Sequence, residues 1–499
     1  MAFSDESDQW VKEMGTEKKK KRSHTVLRQI SGWTLTLIQT AVSALFIVII
    51  ALLGVLPAVL LGILAVVVTM LVIITRLLMS RPKNKVRFYS GAVFSIIICV
   101  VLIIANLLLL RITNVLENIT GSSYETTIVG VYVLDEDPAQ TLEDAADYTF
   151  GYLSGYGRSD TDYAVEQINK RLGIEITKKS YSTMLELADA LYAGESPAII
   201  LGDGYVDVIA DAEGYETFSD DIRLLYTVQW EEAIEEEEDV SENVFTVLIS
   251  GIDTDGAVTT KSRSDVNILA VVNRNTHQVQ LISTPRDYYV ELSISDGVKD
   301  KLTHSGIYGV QVTMDTLGML YDVDVDYYFR INFTGFTELI DAMGGITVTS
   351  EVEFTTGEYT FVIGENEMDG EAALAFVRER YAFSSGDRQR GKNQMAVIQG
   401  VIAKAQTLSF LQNFSSFLEG VESSFQTNVP SDVISDMVKE QIAEGGDWNV
   451  ASYSVDGTGS YATTYSMSQE LYVMIPDEET VEHAKELIEA VLAGEDAGE

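Results

Sequence analysis

Three apolar stretches near the N-terminus, about Trp33–Val55, Pro57–Met79 and Phe88–Leu110, constrain this chain most. Each has the roughly 20 residues needed to cross a bilayer. Buried globular helices would account for one such run, but not readily for three in succession. The first run starts late and two more follow, which is not the pattern of a cleaved signal peptide. The loop Arg81–Arg87 carries four basic residues, the loop between the first two runs carries none, and the polar segment 1–32 ends in the basic cluster Lys18–Arg22. The positive-inside rule then predicts a cytoplasmic tail over 1–32 and three transmembrane helices within 33–110. An odd number of crossings puts everything after Leu110 on the outer face of the membrane.

Charge divides the chain at the same place. Residues 1–110 hold 12 Lys+Arg and 5 Asp+Glu, a net of +7; the remainder holds 22 and 70, a net of -48, which together give -41. So acidic a main body disfavours a nucleic-acid partner, because a phosphate backbone would be repelled. One cysteine, Cys99 in an apolar run, permits no intrachain disulfide, and four scattered histidines make no zinc site. An acidic exterior without disulfides fits a Gram-positive type of bacterial surface.

Beyond a short polar tether at 111–125, the pattern predicts an α/β protein in two parts. Thr126–Leu134 reads as a strand. Helical segments are expected near 138–153 and 160–172, a strand at Ile174–Tyr181, a helix at Ser182–Ala193 and a strand at Ala198–Leu201. This makes 111–230 a small extracellular α/β accessory domain with no visible catalytic constellation. Gly202-Asp203-Gly204 reads as a turn, because no GK[ST] follows it. The acidic run Glu231–Glu238 reads as solvated, giving a linker over 231–243. Residues 244–499 form the main domain. Helices are expected over Gly306–Tyr321, Phe333–Met343, Asp369–Arg380 and Gly391–Leu408, with a loop at Tyr381–Arg390. An amphipathic stretch near 431–443, a strand near 448–454 and a helix near 479–493 could complete the same sheet or form a lid.

The main domain opens with three strands in a row. Phe245–Ser250 and Val266–Val272 are apolar and β-branched, Gln278–Ser283 alternates, and the polar turn Asn273–His277 suits a hairpin. An antiparallel meander would bring Asp253, Arg263, Asp265, Arg286 and Asp287 to one end of the sheet. Arg263 and Asp265, two apart on an extended segment, share a face. Carboxylates and guanidiniums gathered at one edge are what a divalent metal and a phosphate need. Four more arginines, Arg378, Arg380, Arg388 and Arg390, surround one helix–loop–helix. Two residues turn a helix by about 200°, so either that helix ends near Arg378 and Arg380 or only one of them faces the site. Arg390 and Gln394 are four apart and share a helical face.

These residues carry a pattern. Gly251-Ile252-Asp253, Ser262-Arg263-Ser264-Asp265, Thr284-Pro285-Arg286-Asp287, Lys301-Leu302-Thr303-His304, Ala342-Met343-Gly344-Gly345-Ile346, Asp369-Gly370-Glu371-Ala372 with Arg378, and Arg390-Gly391-Lys392-Asn393-Gln394 together resemble the LytR-CpsA-Psr (LCP) family over roughly residues 244–408. The three spans and the small domain resemble its capsule-associated, CpsA-like branch. The resemblance implies an LCP-type α/β domain with a mixed central sheet flanked by helices. It also implies a membrane-anchored phosphotransferase that moves a capsular or teichoic-acid-like glycopolymer from an undecaprenyl-pyrophosphate carrier to peptidoglycan through a phosphodiester. Carried over by motif, Asp253 and Asp265 would hold Mg²⁺, one of them taking the acceptor proton. Arg263, Arg286, Arg378 and Arg390 would clamp the pyrophosphate, helped by Lys301, Arg380, Arg388 and Gln394. Helix faces within 306–343 and 391–408 would enclose the prenyl chain. The loop reads Asp387-Arg388-Gln389-Arg390 where the family often has Asp-x-Asp-Arg, so position 389 departs from the pattern. The rival expectation is a non-catalytic surface receptor that binds the lipid-linked polymer and contacts capsule-synthesis machinery; it would need the arginines but not the metal pair.

Overall fold

The computed structural model describes residues 3–120, 124–155, 157–234, 243–254, 256–383, 386–421 and 423–495. Three long helices come first: α1 (Phe3–Leu53), α2 (Ala58–Met79) and α3 (Lys85–Thr120). An α/β region follows: β1 (Tyr124–Leu134), β2 (Thr149–Leu153), α4 (Arg158–Leu172), β3 (Thr177–Tyr181), α5 (Met184–Tyr192), β4 (Ala198–Gly202), α6 (Gly204–Ala210), α7 (Phe218–Asp221) and β5 (Ile222–Ala233). The main region opens with β6 (Val244–Ile252), β7 (Ser264–Asn273), β8 (Gln278–Thr284) and the small hairpin β9 (Tyr289–Glu291) and β10 (Lys299–Lys301). A 3₁₀ turn over Leu302–Tyr308 leads to α8 (Val310–Tyr321), β11 (Tyr327–Ile331), α9 (Phe333–Ala342) and β12 (Ile346–Ser350). Then come β13 (Phe354–Thr356), β14 (Tyr359–Phe361), β15 (Gly364–Met368), α10 (Gly370–Arg378), α11 (Asp387–Ala405) and α12 (Leu408–Gly420). The chain finishes with β16 (Phe425–Thr427), α13 (Ser431–Glu444), β17 (Asn449–Ser454), β18 (Gly457–Ala462), β19 (Leu471–Pro476) and α14 (Glu478–Ala493).

The chain divides into two compact units, residues 1–117 with 431–445 and residues 118–430 with 446–499. In the first, Arg22–Leu53, Ala58–Met79 and Lys85–Val115 are helical and apolar enough to cross a membrane, at 32, 22 and 31 residues. Gln39 on α1 is fully buried, and its Oε1 accepts from Thr75 on α2 at 2.8 Å and from Ser95 on α3 at 2.7 Å. One amide thus ties all three helices, as interhelical hydrogen bonds do where no water competes. The polar segment 1–32 is helical from Phe3 onward, continuous with the first span. The tether expected at 111–125 instead continues α3 to Thr120, because Val115 and Ile119 keep a buried face, both 2% exposed.

The second unit holds two sheets. The accessory sheet runs β3-β2-β4-β1-β5, with β2 parallel to β3 and β4, and β1 antiparallel to β4 and β5. Residues 138–148 are turns, and Thr149–Leu153 is strand β2; the helix expected over 138–153 is absent. Ala139, Leu142 and Ala145 join the core with Phe150 and Val131 from turns rather than from a helix face. The main sheet runs β16-β11-β6-β7-β8-β17. The expected meander is present: β6 pairs antiparallel with β7, and β7 with β8, in the register Leu248↔Leu269↔Ile282. Parallel pairing of β11 with β6 and of β17 with β8 makes the sheet mixed, so the C-terminal strand extends the sheet and is no lid. Leu248, Leu269 and Ile282 pack with Met314 and Leu317 of α8 and with Leu487 of α14. A separate core joins Ile340, Phe376 and Val397 of α9, α10 and α11.

The accessory and main sheets share walls. β5 continues through Glu231 and Glu232, which face Thr126 and Glu125 of β1, so the linker expected from residue 231 begins later. Residues 235–242, the rest of that acidic stretch, lie outside the described residues. Thr126 N–H donates to Thr259 O at 2.8 Å, and Lys261 N–H donates to Thr126 O at 3.0 Å. Ile307, Met467 and Leu471 of the main region belong to the same apolar cluster as Leu187, Leu201 and Phe218 of the accessory region.

Candidate functional site

The sheet end where the meander gathers its charges is tied by short polar contacts. Ser250 and Ser264 hydroxyls meet at 2.7 Å across β6 and β7. Beyond them, Asp253 N–H donates to Arg263 O at 3.2 Å and Ser262 Oγ donates to Asp253 O at 2.8 Å. This closes the loop 253–262 and aims both side chains at one spot. Arg263 Nη2 reaches Asp253 Oδ2 at 2.7 Å. Arg286, just past β8, bonds Asp265 Oδ2, while Thr303 Oγ1 donates to Asp265 Oδ1 at 2.9 Å. Lys301 Nζ lies 3.3 Å from Asp287 Oδ1. The three polar residues of the Lys301–His304 motif have separate partners. Lys301 faces the carboxylates, Thr303 orients Asp265, and His304 Nδ1 meets Asp300 at 2.7 Å and Ser466 Oγ at 2.9 Å. Gly306 lets this 3₁₀ turn lie on the strand, since a Cβ there would stand 2.4 Å from Ser262 O and 2.8 Å from Ser264 N.

The accessory region supplies two residues that the sequence reading did not single out. On α6 and just after it, Asp207 lies 3.3 Å from Arg263, and Asp211 lies 3.7 Å from Arg263, 2.9 Å from Lys301 and 4.0 Å from His304 Nε2. Burial works against the charge on Arg263, but Asp207, Asp265, Asp211 and Asp253 outweigh it, so its pKa is raised. Burial also raises the pKa of Asp207 despite Arg263. For Asp211 burial is outweighed by Lys301, Arg263 and His304, which hold its carboxyl below the usual range. Two buried groups here, Arg263 Nε and His304 Nε2, have no hydrogen-bond partner among the described residues. The only sequence signal was the i,i+4 spacing of two acids after a Gly-Asp-Gly turn, which is indistinguishable from a solvated helix face.

The second group of arginines lies on and before α11. The α10 helix ends at Arg378 and Glu379 is extended, which settles the alternative left open for Arg378 and Arg380. Arg378 stacks on Phe333 at 4.3 Å, and Arg380 stacks on Tyr381 at 4.7 Å. The Tyr381 hydroxyl chiefly, with Asp387 and Asp287, raises the pKa of Arg380. The loop expected at Tyr381–Arg390 is shorter: α11 begins at Asp387, which sits in its first turn where acids suit the helix dipole, so Arg388 and Arg390 are helical. Arg388 pairs with Asp456 at 2.5 Å, and Arg390 with Asp387 at 3.3 Å. Gln394 is half-buried one turn beyond Arg390. A Cβ on Gly391 would sit 3.0 Å from Ser283 Oγ, so the start of α11 is pressed against the end of β8, next to Arg286. The faces considered for a prenyl chain are largely filled: Met314 and Leu317 of α8 and Val397 of α11 are core residues.

Among the described residues no group of three or more His, Cys, Asp or Glu side chains is arranged to hold a metal ion. Mg²⁺ in phosphoryl-transfer sites commonly takes one or two carboxylates and completes its shell with water and phosphate oxygens. Asp253 and Asp265 are hard oxygen donors, and their side chains are 32% and 17% exposed, so the donor set fits that mode.

The LytR_cpsA_psr family model matches residues 223–486. Among curated proteins, the chain is 36% identical over 218 residues to "Polyisoprenyl-teichoic acid--peptidoglycan teichoic acid transferase TagU" of Bacillus subtilis, covering 43% of this chain and 69% of that one. It is 37% identical over 191 residues to the protein of the same name in Enterococcus faecalis, covering 38% of this chain and 62% of that one. Among solved structures, that of B. subtilis TagU aligns with a TM-score of 0.40 at 31% identity, over 50% of this chain and 97% of that one. The motifs at the sheet end, a family match over more than half of the residues and the first of these relatives agree, and this chain belongs to the LytR_cpsA_psr family.

Proposed function

We propose that this chain is a membrane-anchored phosphotransferase that moves a glycopolymer from a polyprenyl-pyrophosphate carrier to peptidoglycan. The observation that carries this reading is the convergence of Asp253, Arg263, Asp265, Arg286 and Lys301 at one sheet end, with Arg263 Nε and His304 Nε2 buried and unspent. The names of the two TagU relatives support the same class of reaction. In the reaction, an acceptor hydroxyl oxygen attacks the glycan-bearing phosphorus and the phosphoanhydride bond to the carrier breaks. The products are a glycan–peptidoglycan phosphodiester and polyprenyl phosphate. Guanidiniums of Arg263 and Arg286 neutralise the pyrophosphate oxygens as charge moves onto the leaving phosphate, with Lys301 beside them. Arg378, Arg380, Arg388, Arg390 and Gln394, on and between α10 and α11, would assist in binding the pyrophosphate. Asp253 or Asp265 takes the acceptor proton. Asp253 and Asp265 would also hold Mg²⁺, which when bound supplies further charge neutralisation.

In this reading the N-terminus is cytoplasmic and the second unit lies outside the cell. A capsular polymer, an undecaprenyl carrier and contact with capsule-synthesis machinery are the finer parts of the proposal. The test uses the full chain in detergent with a polyprenyl-pyrophosphate oligosaccharide and peptidoglycan fragments. Release of polyprenyl phosphate should depend on Mg²⁺ and fall by about 10²–10³-fold in both Asp265→Ala and Arg286→Ala. Tight lipid binding without turnover, unchanged in Asp265→Ala, would instead identify a receptor.

A further inference from the structure

The accessory sheet has a topological switch point, and a cavity opens there. From β2 the chain crosses through α4 to β3 on one side; from β3 it returns through α5 to β4 on the other side. The two helices lie on opposite faces. Ala164 and Ile168 of α4 pack with Phe150 and Val131, whereas Leu187 and Leu191 of α5 pack with Leu153 and Leu201. In open α/β sheets the crevice outside the carboxyl ends of the two strands at such a point is where ligands bind. A cavity of about 680 Å³ lies at that place, lined by Leu153 at the end of β2 with Gly155, Ser159 and Asp160 beyond it, and by Gly202 at the end of β4 with Asp203 beyond it. Its far wall comes from the main region and includes Lys261, Ile307, Tyr308 and Tyr465.

The lining selects the ligand class. Three tyrosines line it in edge-to-face contact: Tyr205 and Tyr308 have ring centroids 6.3 Å apart, and Tyr308 and Tyr465 6.1 Å apart. Opposite charges are mixed, with Asp160, Asp203 and Glu232 against Arg158 and Lys261, and Lys261 is already paired with Glu232. An anion would meet the carboxylates, and an aliphatic chain would leave them desolvated and unpaired. A neutral polyol avoids both. Its hydroxyls donate to the carboxylates and accept from N–H groups at the start of α4, while its C–H faces lie on the tyrosine rings.

We infer that this cavity is a saccharide subsite that takes sugar rings of the glycopolymer or of the peptidoglycan strand; the inference rests on the transferase reading of the neighbouring site. Position ties the two together. Asp203 and Tyr205 line the cavity, and Asp207, two residues along α6, touches Arg263. Lys261 lines the cavity, and Arg263, two residues further along the same segment, belongs to the clamp. Ile307 is in the same 3₁₀ turn as His304, and Tyr465 adjoins Ser466, which bonds His304. The cavity and the clamp therefore share α6, the 3₁₀ turn and the segment 261–263 as walls, and a sugar joined to the pyrophosphate has an enclosed place beside the clamp.

The test measures binding to the full chain in detergent, comparing wild type with Ser159→Trp, which blocks the cavity from an exposed position, and with the isosteric Asp160→Asn. Three probes are titrated: farnesyl pyrophosphate, a farnesyl-pyrophosphoryl disaccharide of N-acetylated hexosamines, and a free tetrasaccharide of the peptidoglycan glycan. Expected is a loss of about tenfold in affinity for at least one saccharide probe in both variants, with farnesyl pyrophosphate unaffected. Loss with the carrier-linked disaccharide alone assigns the subsite to the donor, and loss with the tetrasaccharide alone assigns it to the acceptor. Saccharide affinities unchanged by both variants, or absent in wild type, overturn the subsite. Failure of farnesyl pyrophosphate to bind wild type overturns the transferase reading instead, and leaves the subsite to be judged on the tetrasaccharide.

Discussion

Asp211 is where the accessory region meets the clamp most directly. Its carboxylate lies 2.9 Å from Lys301 and 3.7 Å from Arg263, two cations that the proposed reaction needs for phosphate oxygens. A substrate anion must therefore compete with a built-in one. Asp211→Asn keeps the shape and removes the competitor, so farnesyl pyrophosphate should bind about three- to tenfold more tightly, a change of roughly 1 kcal/mol. Fluorescence or calorimetric titration of the full chain reads this directly; weaker binding would make Asp211 an organiser of Lys301 rather than a competitor. Asp300 gives a pH signature of its own. Burial disfavours its ionisation, but His304, Ser466 and the Lys301 amide more than offset this and hold its pKa below the ordinary 3.8. A depressed native pKa means the stabilisation is complete above the unfolded value, about 4, and disappears as pH falls through the native one. Thermal unfolding between about pH 2 and 6 should show wild type losing stability below about pH 4 more steeply than Asp300→Asn. Parallel curves would remove Asp300 as the source.

The 3₁₀ turn Leu302–Tyr308 carries more of the site than its length suggests. It lies flat on the start of β7 only because residue 306 has no side chain, with Ser262 O 2.4 Å from where a Cβ would be. Gly306→Ala should lift the turn, carrying Thr303 away from Asp265, and cost about 1–3 kcal/mol of stability, as overpacking does. Denaturant titration checks the stability. Turnover should fall further than that loss explains, because Asp265 would lose its 2.9 Å hydrogen bond from Thr303. The meander and its five charges were legible in the sequence, because strand periodicity of two and a short polar turn fix both the pairing and the end at which each charge emerges. The start of α11 was less legible: Asp387-Arg388-Gln389-Arg390 is polar throughout, so no apolar stripe marked it as helical before Gly391. The Asp207 and Asp211 contacts were not legible at all, because they depend on how one sheet packs on another. No local period encodes that.

At the scale of the molecule, the accessory and main regions are one body within the second unit. Arg330 on β11 is 2% exposed and pairs with Glu125 on β1, and Glu125 Oε1 also accepts from Val310 N–H at 2.9 Å. Removing one member of a buried ion pair leaves an uncompensated charge and costs about 3–5 kcal/mol, more than the pair contributes over an apolar substitute. Glu125→Ala should therefore destabilise the main domain although the change is made in the accessory strand. The shared apolar cluster of Ile307, Met467, Leu471, Leu201 and Phe218 extends that coupling across the whole interface. Calorimetry of the full chain in detergent should show the two regions melting in a single transition, and Glu125→Ala should move that transition as a whole. Two transitions, with only the accessory one shifted by Glu125→Ala, would mean that the regions fold independently. Asp207 and Asp211 would then be visitors to the phosphate clamp rather than part of its construction.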